Sequence, residues 1–457
     1  MPSRSAASIF VCAACGGHSA KWQGQCPHCA AWNTLAEESV RAGAGAAAGM
    51  GKSGRRTTAA PRERLGAAPD SASERLPSGQ GELDRVLGGG IVPGSVSLIG
   101  GDPGIGKSTL LLQVAAHAAR NVEVLYASAE ESAAQISLRA RRLALEAPRL
   151  ALTTHSELEA VLAQARESRA ALLVIDSIQT MQSSAVESSA GAVSQLRECT
   201  AELVRFAKAT GTAVVIIGHV TKEGAIAGPR VLEHLVDTVL YFESEAGSRF
   251  RIIRATKNRF GAVGELGFFA MTESGLKEVR NPAAIFLARA SEPAAGSIVT
   301  VTHEGGRALL IELQALVDRM RFGAPRRVAQ GLDANRLAML LAALNRHAGV
   351  SLQEHDVFAN VVGGIQIAET AADLPIALAL VSSLKDRALS RSLIVFGEIG
   401  LTGEVRPVAY GEERLREAQK QGFQRAIIPQ ANAPRKSPEG IEVVPVARLA
   451  DALSAAF

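Results

Sequence analysis

The chain has 457 residues, which is enough for about three domains of ordinary size. Hydrophobic residues make up 47% and charged residues 21% of it, which excludes a largely disordered protein. Aromatic residues make up only 4%, so we expect a nucleic-acid surface to depend on charge and backbone more than on stacking. The net charge is +4, and residues 1–75 hold nine Lys/Arg against five Asp/Glu. This basic arm is compatible with nucleic acid and equally with a solvated linker.

The first residues, MPSRSAASIFVCAACGG, lack the apolar core of a secretory signal. No uninterrupted apolar run approaches the roughly 18 residues that a membrane span needs. The sequence therefore predicts a cytoplasmic protein with no membrane partner, in which structural disulfides are not expected.

Four of the five cysteines lie near the start of the chain, as Cys12-x2-Cys15 and Cys26-x2-Cys29. Two such knuckles can deliver four thiolates tetrahedrally to one Zn²⁺, and four thiolates leave no open position for catalysis. The spacing predicts a structural zinc ribbon over residues 1–35. A redox pair and buried structural cysteines are the alternatives. Cys199 is isolated in a helical pattern and is interpreted as a core residue.

After the cysteines, the composition and the predicted secondary structure divide the chain into three further segments. Residues 36–75, rich in Ala, Gly, Ser and Arg, are typical of a flexible linker. Over residues 76–280, strand-like and helix-like segments alternate, and several strands are continuous apolar runs typical of a buried parallel sheet. Helices are predicted at 108–120 and 193–210 in this α/β domain. Residues 285–457 are predicted to form a separate α+β domain, with helices near 333–347, 370–386 and 411–421.

The stretch from Gly101 to Ser108 fits the P-loop pattern completely, and it lies between the strand SVSLIG and the helix STLLLQVAAHAA. Backbone N–H groups and the helix N-terminus are expected to bind the phosphates of ATP. Lys107 is expected to reach the β and γ phosphates, and Ser108 to hold Mg²⁺. The predicted nucleotide-binding residues are Gly101, Asp102, Pro103, Gly104, Ile105, Gly106, Lys107, Ser108 and Thr109.

Three other strand ends supply candidates for the same site. ALLVIDS ends in Asp176, predicted as the second Mg²⁺ ligand, although an ordinary strand-end Asp is the alternative. YASAEES places Glu130 and Glu131 beyond a strand; Glu130 is our choice for the catalytic carboxylate, with Glu131 left open. TAVVIIGH ends in His219, which is interpreted either as a γ-phosphate sensor or as a structural histidine.

SGQGELDRVLGGGIVPGSVSLIGGDPGIGKST resembles the start of the RecA/DnaB-type ATPase core. With the segment KNRFG (Lys257 to Gly261), the four-cysteine ribbon and the C-terminal domain, the chain is similar over its whole length to the bacterial RadA (Sms) family of DNA-repair proteins. The resemblance implies that Lys257 and Arg259 reach the ATP of a neighbouring subunit. From the residues alone, they are equally well a basic turn after a strand. The resemblance also implies a ring, expected to be a hexamer. This ring is expected to act near the nucleoid on single-stranded and branched DNA, together with RecA recombinase.

Two polar, glycine-containing loops follow Asp176 and His219 and are expected to face the channel of the ring. Lys222 and Arg230, in the second loop, are the candidate contacts to DNA phosphates; solvated loop charges are the alternative. Neither loop carries aromatic residues, so backbone binding rather than base readout is expected.

GEIGLTGEVRPV and ALALVSSL resemble the proteolytic domain of the Lon family, which uses a Ser–Lys dyad. The resemblance places Ala371 at the nucleophile position and Glu412 at the lysine position, so peptidase activity is not expected. The resemblance to the RadA (Sms) family implies instead that this domain is a scaffold that helps to form the ring and offers a DNA-binding surface. The candidates for that surface are Arg387, Arg391, Arg414, Arg416 and Lys420.

Three hypotheses for the function are consistent with these residues. The first is an ATP-driven DNA motor that promotes branch migration. The second is a Lon-type protease, which the missing dyad disfavours. The third is a clock- or signalling-type ATPase that binds protein, which the ribbon and KNRFG disfavour. Strand exchange by itself, as in RecA, is an alternative that the residues favour less than motor action.

Overall fold

The computed structural model describes residues 8–12, 17–32, 34–39, 75–219, 232–244, 248–287, 292–320, 323–436 and 438–457. Three of the predicted site residues, Cys15, Lys222 and Arg230, lie outside these ranges, as does nearly all of the predicted linker. The chain divides into two compact units, Met1–Glu278 and Val279–Phe457. Within the described ranges, no helix combines the length and apolar character needed to cross a bilayer.

The N-terminal ribbon is a small antiparallel sheet in the order β2-β1-β3. Its strands are β1 (Ser8–Cys12), β2 (His18–Ser19) and β3 (Leu35–Ser39). Cys12, Cys26 and Leu35 are buried together with Phe10 packed against them. This core is too small to hold a domain alone, as expected of a ribbon that a metal stabilises.

The rest of the first unit is an α/β domain whose described strands form one sheet in the order β12-β11-β10-β9-β4-β8-β7-β5-β6. The strands are β4 (Val96–Gly100), β5 (Val124–Ser128), β6 (Leu150–Thr153), β7 (Leu172–Asp176), β8 (Ala213–Ile217), β9 (Thr238–Glu243), β10 (Phe250–Asn258), β11 (Leu266–Thr272) and β12 (Gly275–Glu278). The helices are α1 (Gly81–Leu87), α2 (Lys107–Ala118), α3 (Ala133–Arg142), α4 (Leu158–Glu167) and α5 (Val193–Thr210), with a 3-10 turn at Ile178–Thr180.

The sheet is covered on both faces. Every residue of β4, β5, β7 and β8 is buried, which confirms the interpretation of their apolar runs. Alternate side chains pack into two separate cores, one with α1 and α2 and the other with α4 and α5. The strands β4 to β9 run parallel, so their carboxyl ends, where the predicted site residues lie, meet at one edge.

In the second unit, the larger described sheet has the order β15-β16-β14-β13-β17-β20-β21 and mixes parallel and antiparallel pairs. Its strands are β13 (Ser297–Glu304), β14 (Arg307–Arg319), β15 (Arg327–Gln330), β16 (His355–Val361), β17 (Leu393–Val395), β20 (Arg425–Pro429) and β21 (Glu442–Val446), while β18 (Glu398–Ile399) and β19 (Val405–Arg406) form a separate hairpin. The helices are α6 (Ala283–Phe286), α7 (Ala334–Ala348), α8 (Asp373–Leu384), α9 (Gly411–Lys420) and α10 (Leu449–Ala456).

The predicted helix at 370–386 is divided in the structure. A 3-10 turn, Thr370–Ala372, precedes α8, which ends at Leu384. Pro375 lies in the first turn of α8, where it needs no backbone N–H. Almost every residue of α8 is buried, so this helix is the centre of the second unit.

Candidate nucleotide site and zinc ribbon

The P-loop joins the buried end of β4 to the start of α2. Gly101 and Gly106 have φ angles of 147° and 119°, which residues with a side chain rarely adopt. A Cβ added at Gly101 would lie 2.8 Å from Phe242 Cβ, and one at Gly106 would lie 2.7 Å from Met271 Cε. Gly101 is therefore required both by the turn and by the packing of the loop against β9, whereas Gly106 is required by its φ angle, since the end of the Met271 side chain can shift.

Lys107 is folded onto the P-loop. Its Nζ donates hydrogen bonds to the carbonyl oxygens of Gly101 (2.6 Å) and Asp102 (2.8 Å). Burial lowers the pKa of Lys107 to about 8, with the charge of Asp176 opposing the shift. A buried ammonium with nearby carboxylates is suited to bind phosphate oxygens.

Asp176, at the end of β7, meets Ser108 from the first turn of α2. The Ser108 hydroxyl donates to Asp176 Oδ1 at 3.2 Å, and the Tyr126 hydroxyl donates to Oδ2 at 2.5 Å. Burial raises the pKa of Asp176, and these two hydrogen bonds oppose the rise. A hydroxyl and a carboxylate oxygen at one point are ligands that suit Mg²⁺, so Ser108 and Asp176 fit the predicted metal site. Tyr126 was not among the predicted site residues.

Glu130 and Glu131 point to different partners. Ser128 pairs with Asp176 across β5 and β7, which brings Glu130 next to Ser177. Glu130 accepts a hydrogen bond from the Ser177 hydroxyl and lies 3.5 Å from His219 Nε2. The hydrogen bond with His219 holds the pKa of Glu130 below its ordinary value, although burial opposes it.

Glu131, by contrast, forms an ion pair with Arg139 on α3. The structure therefore brings together Lys107, Ser108, Asp176, Glu130 and His219, and it turns Glu131 toward a helix. Ser177, like Tyr126, was missed in the sequence. The contacts of Ser177 with Glu130 and of Tyr126 with Asp176 depend on β5 lying beside β7, and the sequence of neither strand shows which strand is its neighbour.

Lys257 and Arg259 lie away from the P-loop of their own chain. Lys257 Nζ donates to the carbonyl oxygens of Glu233 (2.6 Å) and Val236 (2.8 Å), which precede β9. Arg259 forms an ion pair with Asp237 at 2.9 Å. The other carboxylate oxygen of Asp237 accepts from the backbone N–H of Val96, the first residue of β4.

The P-loop follows the last residue of β4. The five residues of this strand span about 16 Å, so KNRFG and the P-loop are at opposite edges of the sheet. Neither cation is close to the phosphate-binding loop of its own chain.

The ribbon brings three cysteine sulfurs within 4.8 Å of one another: those of Cys12, Cys26 and Cys29. The sulfurs of Cys12 and Cys29 are 3.7 Å apart. Tetrahedral Zn²⁺ with Zn–S bonds of about 2.3 Å separates its sulfurs by about 3.8 Å, whereas a disulfide requires about 2.05 Å. The described cysteines thus fit a zinc site, and when bound the metal would supply structural stability.

We expect the wild-type chain to hold one Zn²⁺ and Cys26→Ser to lose it, because a thiolate ligand is removed. Cys199→Ser is the matched control, since Cys199 is buried in α5 and burial raises its pKa to about 12. Zinc per chain is measured by atomic absorption after gel filtration. Full zinc content in Cys26→Ser would contradict the assignment.

In the second unit, Ala371 is buried in the 3-10 turn and Glu412 is exposed in the first turn of α9. The prediction that Arg414 contributes to a DNA-binding surface is wrong. Its side chain is fully buried, and it donates to both carboxylate oxygens of Glu369, at 2.8 and 2.6 Å. The remaining candidates, which are exposed, are Arg387, Arg391, Arg416 and Lys420.

Three family models match the chain. They are an AAA domain over residues 61–225, subunit ChlI of Mg-chelatase over 336–432 and a rubredoxin metal binding domain over 10–37. Among solved structures, the RadB recombinase aligns with a TM-score of 0.37 and 24% identity, covering 45% of this chain and all of that one.

Bacterial relatives match this chain over nearly the whole length of both. The DNA repair protein RadA of Pseudomonas aeruginosa is 54% identical, with 98% of both chains covered. That of Escherichia coli is 52% identical over 97% of both, and that of Bacillus subtilis is 48% identical over 98% of both. With its rubredoxin-like ribbon, its AAA domain and its ChlI-like C-terminal segment in this order, and with relatives at about half identity over the whole chain, the protein belongs to the family of the DNA repair protein RadA.

Proposed function

We propose that this protein is a DNA-dependent ATPase, a ring-shaped motor on single-stranded DNA that promotes branch migration of recombination intermediates with RecA. One observation carries the proposal. The phosphate- and metal-binding residues lie at the carboxyl edge of the sheet, whereas Lys257 and Arg259 lie at the opposite edge.

Each residue at the carboxyl edge has a distinct task. Lys107 and the N–H groups of the P-loop bind the phosphates of ATP, and Ser108 with Asp176 holds Mg²⁺, which neutralises phosphate charge when bound. Glu130 is the carboxylate that accepts a proton from the attacking water. Glu130 is ionised at neutral pH, since its pKa lies below the ordinary value of a carboxyl group, and Ser177 fixes its position.

The opposite edge supplies the argument for a ring. A cation about 16 Å from its own P-loop cannot stabilise the transition state there. Placed against the P-loop edge of a second copy, Lys257 and Arg259 would complete that copy's site. Such a head-to-tail contact forms either a closed ring or an open filament, and we propose a closed ring of six subunits.

The DNA-binding part of the proposal starts from His219. It contacts Glu130 and directly precedes the segment with Lys222 and Arg230, which we propose contacts DNA phosphates. Binding there would shift His219 and thereby Glu130. The relatives are named for DNA repair, which supports DNA as the partner. Peptidase activity is not part of the proposal, since neither Ala371 nor Glu412 can perform nucleophilic chemistry of the Ser–Lys type.

The test is ATP hydrolysis with and without single-stranded DNA over a salt series. We expect DNA to stimulate hydrolysis and the stimulation to fall steeply with salt, because the strand is bound through its phosphates. Lys107→Ala is expected to be inactive throughout.

A positive result leads to a branch-migration assay with RecA, and casein digestion tests for peptidase activity in the same preparation. Hydrolysis indifferent to DNA, together with no ATP-dependent DNA binding at low salt, would reject the motor and favour an ATPase that acts on a protein.

A further inference from the structure

The ribbon exposes both tryptophans of the chain. Trp22 and Trp32 are 58% and 70% exposed. Side chains of this size are usually mostly buried, because their apolar surface favours burial strongly. Two exposed indoles in one short turn-rich segment are typical of a binding surface.

The backbone holds this segment in place. Gln25 and Trp32 pair in an antiparallel bridge, and Cys26 donates its N–H to the carbonyl oxygen of Ala31 at 2.8 Å. A Cβ added at Gly24 would lie 3.6 Å from the Trp32 ring, so this ring lies against the Gly24 backbone. Trp32 is thus fixed to the knuckle that carries Cys26 and Cys29, and little ordering is needed before a ligand binds.

The charges of the ribbon are few and balanced. In residues 1–39, Arg4 and Lys21 stand against Glu37 and Glu38 of β3, and the exposed Lys21 directly precedes Trp22. One Zn²⁺ with four deprotonated thiolates would carry a formal net charge of −2, so the metal site itself would not attract phosphates. A ligand would therefore be held mainly by the flat faces of the indoles, with Lys21 next to its phosphates.

We propose that Trp22 and Trp32 are a stacking platform for the bases of single-stranded nucleic acid. The proposal rests on the proposed function, since the strand is the one on which the motor acts. It revises the expectation from composition: aromatic residues are few in this chain, but both tryptophans are placed where bases can reach them. Stacking is tolerant of sequence, because every base has an aromatic face.

The chain contains no other tryptophan, so its tryptophan emission reports on these two rings alone. The full-length, zinc-loaded protein is titrated with a fluorescein-labelled oligo(dT), and anisotropy records total binding in parallel. We expect tryptophan emission to be quenched along the anisotropy curve. An abasic oligonucleotide of the same length and charge is expected to leave the emission unchanged.

Variants separate stacking from apolar packing. Trp22→Leu/Trp32→Leu is expected to bind oligo(dT) more weakly by roughly fivefold to 150-fold, whereas Trp22→Tyr/Trp32→Tyr retains most of the affinity because the rings still stack. Zinc content shows that each ribbon is folded. If the Leu variant loses zinc, the comparison of oligo(dT) with the abasic strand on the wild-type chain decides.

Two results together would overturn the stacking platform and leave the proposed motor intact: tryptophan emission that stays unchanged while anisotropy saturates, and wild-type affinity of the Leu variant for oligo(dT). The exposed tryptophans would then be a binding surface for a protein. Equal quenching by the abasic strand would also overturn stacking. No binding of any oligonucleotide at low salt would reject both this inference and the proposed function.

Discussion

Replacing Glu130 by Gln is expected to lower kcat for ATP hydrolysis by about 10²- to 10⁴-fold, with ATP affinity changed only a few-fold. Gln keeps the size of the side chain and a hydrogen bond with Ser177, but it cannot accept a proton from water. Lys107 and the P-loop, which we propose bind the phosphates, are untouched by the substitution. Steady-state hydrolysis and binding of a fluorescent ATP analogue measure the two quantities.

Glu131→Gln is the matched control. It removes the same charge one residue along the chain, but Glu131 is engaged with Arg139 on α3. We expect it to keep kcat within a few-fold of wild type. The reverse pattern, in which Glu131→Gln is inactive and Glu130→Gln is active, would exchange the two roles.

The second large effect is expected from Arg414→Ala, which should destabilise the second unit by about 3–5 kcal/mol. The substitution leaves the carboxylate of Glu369 without its bidentate partner, next to the half-buried His303 whose backbone N–H it also accepts. It also empties the space under α9. Arg416→Ala, on the same helix but 71% exposed, is expected to cost no more than about 0.5 kcal/mol.

Tryptophan emission cannot follow this change, because both tryptophans lie in the ribbon. Hydrogen exchange of peptides from β13 and α9 gives the local stability of the second unit directly. Equal protection in the Arg414→Ala and Arg416→Ala chains would show that the buried pair is not needed for stability.

The apolar strands and the P-loop could be predicted because their signal is local. A continuous apolar run such as LLVID in an α/β chain predicts a buried strand. The P-loop residues are consecutive in the sequence, so their pattern is visible without knowledge of the fold. The pairing of Glu130 with Ser177 and of Tyr126 with Asp176 depends instead on β5 lying beside β7. Strand order is a property of the whole sheet, so these partners could not be found from the segments themselves.

Arg414 was misjudged for a different reason. Charge alone predicts exposure, but Arg414 lies on the buried stripe of α9 together with Gly411, Leu415 and Ala418. The spacing of that stripe was visible in the sequence. A charged residue on such a stripe indicates a buried ion pair, and Glu369 is its partner.

In the proposed ring, Asp237 would couple neighbouring subunits. It is buried, and it joins Arg259 to the first residue of the strand that leads to the P-loop. In the proposed ring, Arg259 would have to leave Asp237 to reach a neighbour's phosphates and return when they depart. Each exchange would remove and then restore the ion-pair partner of a buried carboxylate at the start of β4, the strand that leads to the subunit's own P-loop. One subunit would thereby sense, through a swap of ion-pair partners, whether the next still holds its nucleotide.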